Sequence, residues 1–160
     1  MSLRNRTILD KIGNLIPGYK GYATRDEKRN TEKKFRDQLA LSIQQSEKEI
    51  IDYQKELISK QQITVCTQWE IVRKAINTLY SKIKNTTYGE SSFFSENQLK
   101  EDELEEIYIF DLEISERVSV ILKTTQEEIT EVLSVATVLN QIKEIENSLI
   151  KRTNFINQYK

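Results

Sequence analysis

Apolar side chains recur at helical spacing along most of this 160-residue chain. Between Thr24 and about Lys60, these residues fall on one helix face, and the stretch contains neither Gly nor Pro. Thr24 and Glu27 form a capping box, in which each side chain accepts a hydrogen bond from a backbone N–H of the first turn. The pattern predicts one long helix, whose apolar face consists of Phe35, Leu39, Ile43, Ile50, Tyr53 and Leu57.

The same periodicity predicts further helices on both sides of this element. A short amphipathic helix is expected over residues 2–15, and a second long helix follows a break near Ser59–Gln62 and ends near Asn85. A loop over residues 86–97 comes next. Beyond it, residues 98–157 fit either one very long helix or two, because no Gly or Pro interrupts their polar stretch at 123–128.

Two further N-terminal caps are predicted in this second half. Ser95 and Gln98 have the spacing of a capping box, and so do Thr125 and Glu128. A helix that starts at Thr125 would divide residues 98–157 into two helices.

The chain is therefore expected to be all-α: an elongated antiparallel helical bundle or coiled coil of four long helices plus a short N-terminal helix. Residues 1–22 would form the short helix and a PGYKGY turn, and residues 23–160 the bundle, as a single domain. The composition agrees, because four Gly and one Pro are too few for a many-stranded sandwich or barrel.

The PGYKGY segment is the first candidate interaction element. Pro17 and Gly18 predict a type II turn, because Pro presets φ and Gly supplies a positive φ. Tyr19, Gly21 and Tyr22 then form an aromatic loop that a plain linker would not need.

A second aromatic loop, with Tyr88, Gly89, Phe93 and Phe94, lies inside residues 86–97. It can pack over the end of the bundle, which we favour, or present Phe93 and Phe94 to a partner.

Charge is distributed unevenly, although 24 basic and 25 acidic residues give a net charge of only −1. Residues 1–36 hold ten basic and four acidic side chains, whereas residues 98–131 hold three basic and eleven acidic ones. Such asymmetry can attract an outside partner. The alternative, which we favour, is that the two regions lie side by side and partly neutralise each other.

A basic row of Arg25, Arg29, Lys33 and Arg36 lies beside the apolar face of the first long helix. At 100° per residue the row covers an arc of about 80°. Charges in this position often pair with a neighbouring helix, which is the favoured interpretation. They can also bind phosphate or anionic lipid headgroups.

Asp111 occupies a position where the pattern calls for an aliphatic residue, between Ile107 and Ile114. A carboxylate in a core needs a partner, because burying it unpaired is costly. We expect Asp111 to pair with a member of the basic row and so lock the first long helix to the third.

The sequence contains few of the residues and motifs that enzymes use for catalysis. The chain has no histidine and a single cysteine, Cys66, among apolar neighbours. It contains no glycine-rich phosphate-binding motif, and the consecutive acids of residues 101–106 must point to several faces rather than converge on a metal. We expect no enzymatic activity, no cofactor and no metal site.

Several segments resemble a prokaryotic all-helical family that has no assigned activity. They are Ile16–Tyr22 (IPGYKGY), the charged run Lys28–Arg36, the stretch Thr87–Phe94 and the helix Glu103–Leu112, whose YIFDL is similar to the family's YEFDL. Glu32 stands where the family pattern has Asp, and Asn30 interrupts the charged run. Some members have gene neighbourhoods that encode stomatin/prohibitin-like (SPFH) membrane scaffold proteins. The resemblance implies an adaptor role near membranes.

The sequence thus favours a non-enzymatic helical module for protein–protein interaction or scaffolding, with a protein partner or a second copy of the chain in a homodimer. The alternative is a peripheral adaptor that binds anionic lipid or a membrane scaffold protein through its basic N-terminal region, with Tyr19 and Tyr22 at the membrane interface. Interspersed acids and an isoelectric point near 5.7 argue against nucleic acid, and no small-molecule substrate is indicated. Without a signal peptide or an apolar run of about 20 residues, a cytoplasmic location is expected, with membrane association as the alternative.

Overall fold

Five helices account for most of the chain in the computed structural model, which describes residues 1–86, 91–95, 98–127, 129 and 135–159. Within these residues no β-strand occurs. The prediction of an all-α bundle with four long helices and one short one is confirmed. The helices are α1 (Leu3–Leu15), α2 (Arg25–Ser59), α3 (Ile63–Asn85), α4 (Glu101–Glu127) and α5 (Val135–Asn157).

The ends of α2 and α3 agree with the boundaries that the sequence predicts. The capping box is present: the Glu27 N–H donates to Thr24 Oγ1 at 3.2 Å, and the Thr24 N–H donates to Glu27 Oε2 at 3.1 Å. After Ser59 the chain reverses through Gln61, whose φ of +60° is a left-handed value that ends the helix. The predicted break is confirmed, as is the end of α3 at Asn85.

The two further caps are wrong. α4 begins at Glu101, five residues after the helix that Ser95 would start, and its first turn is capped by Glu103, which accepts from the Lys100 N–H at 2.7 Å. Thr125 lies inside α4, where its buried hydroxyl donates to the Ile121 carbonyl at 3.0 Å. A Thr hydroxyl satisfied by the preceding turn is compatible with a helix interior, so the helix continues to Glu127. Residues 98–157 nevertheless contain two helices, because α5 starts at Val135.

Two antiparallel hairpins build the bundle. In the first, side-chain pairs join Asp37 to Lys84 and Glu47 to Arg73, both at 3.2 Å, so residue numbers rise along α2 as they fall along α3. The second hairpin shows the same order in the pairs Asp111–Arg152, Glu113–Ser148 and Arg117–Glu144.

The hairpins pack side by side, α2 against α4 and α3 against α5. α2 and α5 therefore lie on a diagonal of the bundle. Arg152 of α5 contacts Glu32 in the second turn of α2, and Glu146, nearer the start of α5, pairs with Lys82 at 3.3 Å, at the level of Asp37. α5 is thus antiparallel to α2, and α4 runs in the same direction as α2. Neighbouring helices are therefore antiparallel within each hairpin, whereas the neighbours that pack between the hairpins, α2 with α4 and α3 with α5, run parallel.

The short helix α1 docks on α4. Its Ile8 and Ile12 are buried, and burial of such a side chain contributes roughly 1.5–3 kcal/mol. Arg4 pairs with Glu105 at 2.7 Å, and Asn5 Nδ2 donates to Glu101 Oε1 at 3.1 Å. The basic N-terminal region and the acidic α4 do lie side by side, as the favoured interpretation of the charge asymmetry expects.

Candidate functional site

The PGYKGY segment turns two tyrosines into the interior of the bundle. The Tyr19 N–H donates to the Ile16 carbonyl at 3.1 Å and Gly18 has a φ of +83°, so the predicted type II turn is confirmed. Gly21 has a φ of +93°, and a Cβ there would collide with the hydroxyl of Tyr108. That hydroxyl accepts the N–H of Tyr22 at 3.0 Å. Gly21 therefore permits the close approach that fixes the segment against α4.

Asp111 is the centre of a fully enclosed set of hydrogen bonds. Its Oδ2 accepts from the Tyr19 hydroxyl at 2.5 Å and from the Tyr22 hydroxyl at 2.6 Å. Its Oδ1 accepts from Arg152 Nε, also at 2.5 Å. Both carboxylate oxygens are therefore satisfied although the side chain has no exposed surface.

Arg152 extends the set across the interior to α2. Its Nη2 donates to Glu32 Oε2 at 2.6 Å and to the Tyr22 hydroxyl at 2.9 Å, and its Cζ lies 4.6 Å from the ring centroid of Phe35. The side chain of Arg152 thus spans the diagonal between α5 and α2. We call Glu32, Arg152, Asp111, Tyr19 and Tyr22 the buried ion network.

Burial governs the titration of this network. Desolvation raises the pKa of the Asp111 carboxyl, and the guanidinium of Arg152 and the two phenol hydrogen bonds oppose that effect. Burial, reinforced by the charge of Asp111, raises the pKa of Tyr19 and of Tyr22 well above the usual value. Both phenols therefore keep their protons at neutral pH and remain hydrogen-bond donors.

Asp111 does pair with an arginine, but the predicted partner is wrong. The partner is Arg152 of α5, whereas Arg25, Arg29 and Lys33 of the basic row are exposed. The reason is the direction in which each α2 side chain points. Glu32 lies on the apolar stripe and faces the core, whereas Lys33 of the basic row, the next residue, is rotated from it by about 100° toward the surface. The Asp111 carboxylate links α4 to α5, and Arg152 connects it to Glu32 of α2.

Three further buried charged residues were not predicted from the sequence, although the signal that revealed Asp111 also marks them: Arg152, Glu32 and Lys28. Arg152 continues the apolar steps of α5, three residues after Leu149 and four before Ile156. The other two precede Phe35 by three and seven residues, on the same stripe. A charged residue on an apolar stripe predicts a buried partner, and here three such residues are buried together with Asp111.

A basic cleft of about 490 Å³ opens on the surface next to this network. Three members of the basic row line it and are joined by Lys84 of α3, which the sequence analysis did not single out. The lining consists of Arg29, Glu32, Lys33, Arg36, Asp37, Lys84, Thr86 and Phe94.

The two acids of the cleft are already engaged. Glu32 accepts from Arg36 Nε at 2.9 Å besides its bonds to Arg152, and Asp37 pairs with Lys84 at 3.2 Å. By contrast, Arg29 and Lys33 have no ion-pair partner within the part of the chain that the structure describes. They lie one helical turn apart on α2 and are exposed.

The two phenylalanines of the second aromatic loop lie in different places, Phe93 in the core and Phe94 in the basic cleft. Phe93 is buried against Tyr22 and Phe155, with ring centroids 5.6 and 6.3 Å away, which is the favoured packing over the bundle end. Phe94 is half-buried on the wall of the cleft. Lys28 Nζ holds the loop by donating to the Ser95 carbonyl at 3.2 Å. Burial lowers the pKa of Lys28.

The predictions for Tyr88 and Gly89 lie outside the described residues. A larger groove of about 650 Å³ lies between α3 and α5, but its charged lining residues, Lys82 and Glu146, pair with each other at 3.3 Å.

Over the described ranges, no group of three or more Asp, Glu or Cys side chains is placed to hold a metal ion. No described helix combines the length and the apolar character that crossing a membrane requires.

These features define a class: an all-α protein in which two helical hairpins enclose a buried ion network beside a basic cleft. Comparison with protein-family models, with curated proteins and with solved structures finds no match.

Proposed function

We propose that this chain is a non-enzymatic helical interaction module that binds an acidic surface of a partner protein through the basic cleft. The observation that carries the proposal is the pair of exposed cations, Arg29 and Lys33, in a concave surface whose two acids are paired with other cations: Glu32 with Arg36 and Arg152, and Asp37 with Lys84. An acidic partner would supply the negative charge that Arg29 and Lys33 lack within the described chain. Such charge complementarity speeds association and fixes the orientation of the bound partner.

The placement of Asp111, Arg152 and Cys66 supports a non-enzymatic role. Asp111 and Arg152 satisfy each other inside the core, out of reach of a substrate. Cys66 is half-buried and its thiol faces the Gln54 carbonyl at 3.9 Å. The basic cleft itself offers cations and hydrogen-bond donors, which suit binding rather than bond cleavage.

Site-specific photo-crosslinking in the native cells tests the proposal. A photoreactive amino acid replaces Lys33, or Lys48, which is exposed on the same helix outside the cleft. We expect a discrete protein adduct at position 33 and none at 48, and its loss when Arg29→Glu is added. An adduct of twice the chain's mass identifies a second copy as the partner. Equal labelling at both positions, or none at 33, contradicts the proposal.

A peripheral membrane adaptor is the second candidate, and the outer surface of α1 favours it. Leu3 is 81% exposed beside Arg4, whose side chain is 68% exposed. An exposed apolar residue next to a cation suits an anionic bilayer surface. Tyr19 and Tyr22 cannot act as interfacial anchors as the sequence suggested, because both are buried and bonded to Asp111.

Flotation with vesicles that contain phosphatidylserine tests this candidate. Removal of residues 1–22 would also remove Tyr19 and Tyr22 from the core, so the test uses the single substitution Leu3→Glu, which leaves the Arg4–Glu105 pair intact. Salt-sensitive flotation of the native chain that this variant loses supports an adaptor. Failure of the native chain to float excludes it.

A further inference from the structure

We infer that the basic cleft binds a phosphomonoester group carried by the partner protein. This inference rests on the proposed function and names the chemistry that the partner must present. It differs from a general preference for acidic surfaces, because carboxylate side chains alone would satisfy that preference.

The charge of the cleft matches a phosphate dianion. Its charged lining consists of four cations, Arg29, Lys33, Arg36 and Lys84, and two acids, which leaves a net charge of +2. A phosphomonoester carries about −1.5 to −2 at pH 7 and would neutralise this excess. One carboxylate would neutralise only half of it.

The arrangement of donors also favours phosphate. Arg29 and Lys33 lie four residues apart and Arg36 follows three residues later, so the three occupy successive turns along one side of α2, while Lys84 faces them from α3. Phosphate presents three oxygens in a tetrahedral arrangement to donors that converge from several directions. A carboxylate has two oxygens in one plane and suits a single arginine.

The buried ion network holds one wall of the cleft in place. Arg36 Nε donates to Glu32 Oε1 at 2.9 Å, and the other oxygen of Glu32 accepts from Arg152 at 2.6 Å. Arg152 is 2% exposed and tied to Asp111. Arg36 is therefore oriented before a ligand arrives, which lowers the entropic cost of binding.

The volume leaves room for more than the phosphate itself. About 490 Å³ lies within the range of small-ligand pockets, and the half-buried ring of Phe94 forms an apolar part of the wall. A phosphorylated side chain and its adjoining peptide segment fit this combination of charge and apolar surface.

Two measurements on the intact chain test the inference. Amide chemical shifts are followed during titration with inorganic phosphate and, at matched ionic strength, with sodium chloride and sodium glutamate. Fluorescence anisotropy then compares an acidic peptide that contains phosphoserine with the same peptide that contains serine. We expect phosphate to shift residues 29–37 and 84–86 selectively, and the phosphopeptide to bind at least about tenfold tighter.

The variant Arg29→Glu/Lys33→Glu should lose this preference. The matched control is Lys48→Glu/Lys143→Glu, which changes the net charge equally at exposed positions outside the cleft. The control should keep the preference. Because all four residues are exposed, we expect both variants to fold, and circular dichroism checks this.

Several results would overturn the inference. They are equal affinity for the two peptides, shifts with phosphate no larger than those with chloride, and a phosphate preference that survives in Arg29→Glu/Lys33→Glu. Binding to phosphatidic acid vesicles without binding to the phosphopeptide would assign the cleft to a lipid headgroup instead. If the peptides bind equally while crosslinking at Lys33 persists, this inference fails and the proposed function stands.

Discussion

Arg152 and Asp111 form an ion pair of 2.5 Å between α5 and α4, and neither side chain exposes more than 2% of its surface. The same guanidinium also pairs with Glu32 of α2 at 2.6 Å, so one arginine connects three of the four long helices. Such a pair need not stabilise a fold more than apolar residues of the same size would. Removal of one partner, however, leaves charges buried without compensation, and that makes the network testable.

Arg152→Met is expected to lower the free energy of unfolding by about 3–5 kcal/mol, because Asp111 and Glu32 lose the cation that they share. Urea unfolding monitored by circular dichroism measures the change. Arg117→Met is the control, since Arg117 bridges Glu113 and Glu144 at a half-exposed site, where such pairs contribute at most about 1 kcal/mol. Similar losses in the two variants would show that the network has no special role.

Tyr22→Phe should destabilise the chain by about 1.5–3 kcal/mol, because hydrogen bonds to charged groups have this magnitude. The Tyr22 hydroxyl both donates to Asp111 and accepts from Arg152. Tyr80→Phe provides the comparison, since the half-buried Tyr80 makes no hydrogen bond through its hydroxyl within the described residues, and we expect a change of no more than about 0.5 kcal/mol. Urea unfolding of both variants decides between these values.

Gly21→Ala and Gly13→Ala should have opposite effects. At Gly21 the φ of +93° and the collision with the Tyr108 hydroxyl make any Cβ unfavourable, and we expect a loss of at least about 1–2 kcal/mol. Gly13 lies inside α1 with open space around it, and alanine there should stabilise by about 0.5–1 kcal/mol. Melting temperatures that move in the same direction would contradict this assignment.

Stability should fall as the pH rises above about 10, the ordinary pKa of tyrosine. Tyr19 and Tyr22 have raised pKa values in the folded chain, chiefly because of burial, so the unfolded chain releases these two protons first. Their contribution is complete below the unfolded pKa and is lost at higher pH. Absorbance at alkaline pH should show the phenols of Tyr19 and Tyr22 ionising only together with unfolding. Simple titration of every tyrosine without loss of helicity would contradict the buried network.

The Glu70 carboxylate should titrate near pH 2 in the folded chain. Hydrogen bonds from Arg73, and then from Gln54, lower its pKa from 4.5 to about 2. Because the folded pKa is lowered, the contribution of Glu70 to stability is present above pH 4.5 and declines toward pH 2. Carbon-13 resonances of the carboxyl group measure this midpoint. Arg73→Gln should raise it toward 4.5, and an unchanged midpoint would assign the shift to another cause.

Local signals in the sequence were sufficient for most of the helices. The capping box at Thr24, the turn at Pro17–Gly18 and the stripe that begins at Trp69 each depend on residues a few positions apart. The caps predicted at Ser95 and Thr125 failed because the same motif is compatible with a loop or a helix interior. At those two positions, tertiary contacts and the hydrogen bond to the preceding turn decided the outcome.

The candidate site was predictable only in part. The sequence alone determined that Asp111 needs a partner and that the basic row lies beside an apolar stripe, because helical periodicity reveals which face of each helix turns inward. It did not determine that the partner is Arg152, or that Lys84 completes the basic cleft. Those pairings depend on which helices are neighbours and which lie on the diagonal, a property of the whole bundle. Periodicity describes one helix at a time, so only the tertiary structure could decide them.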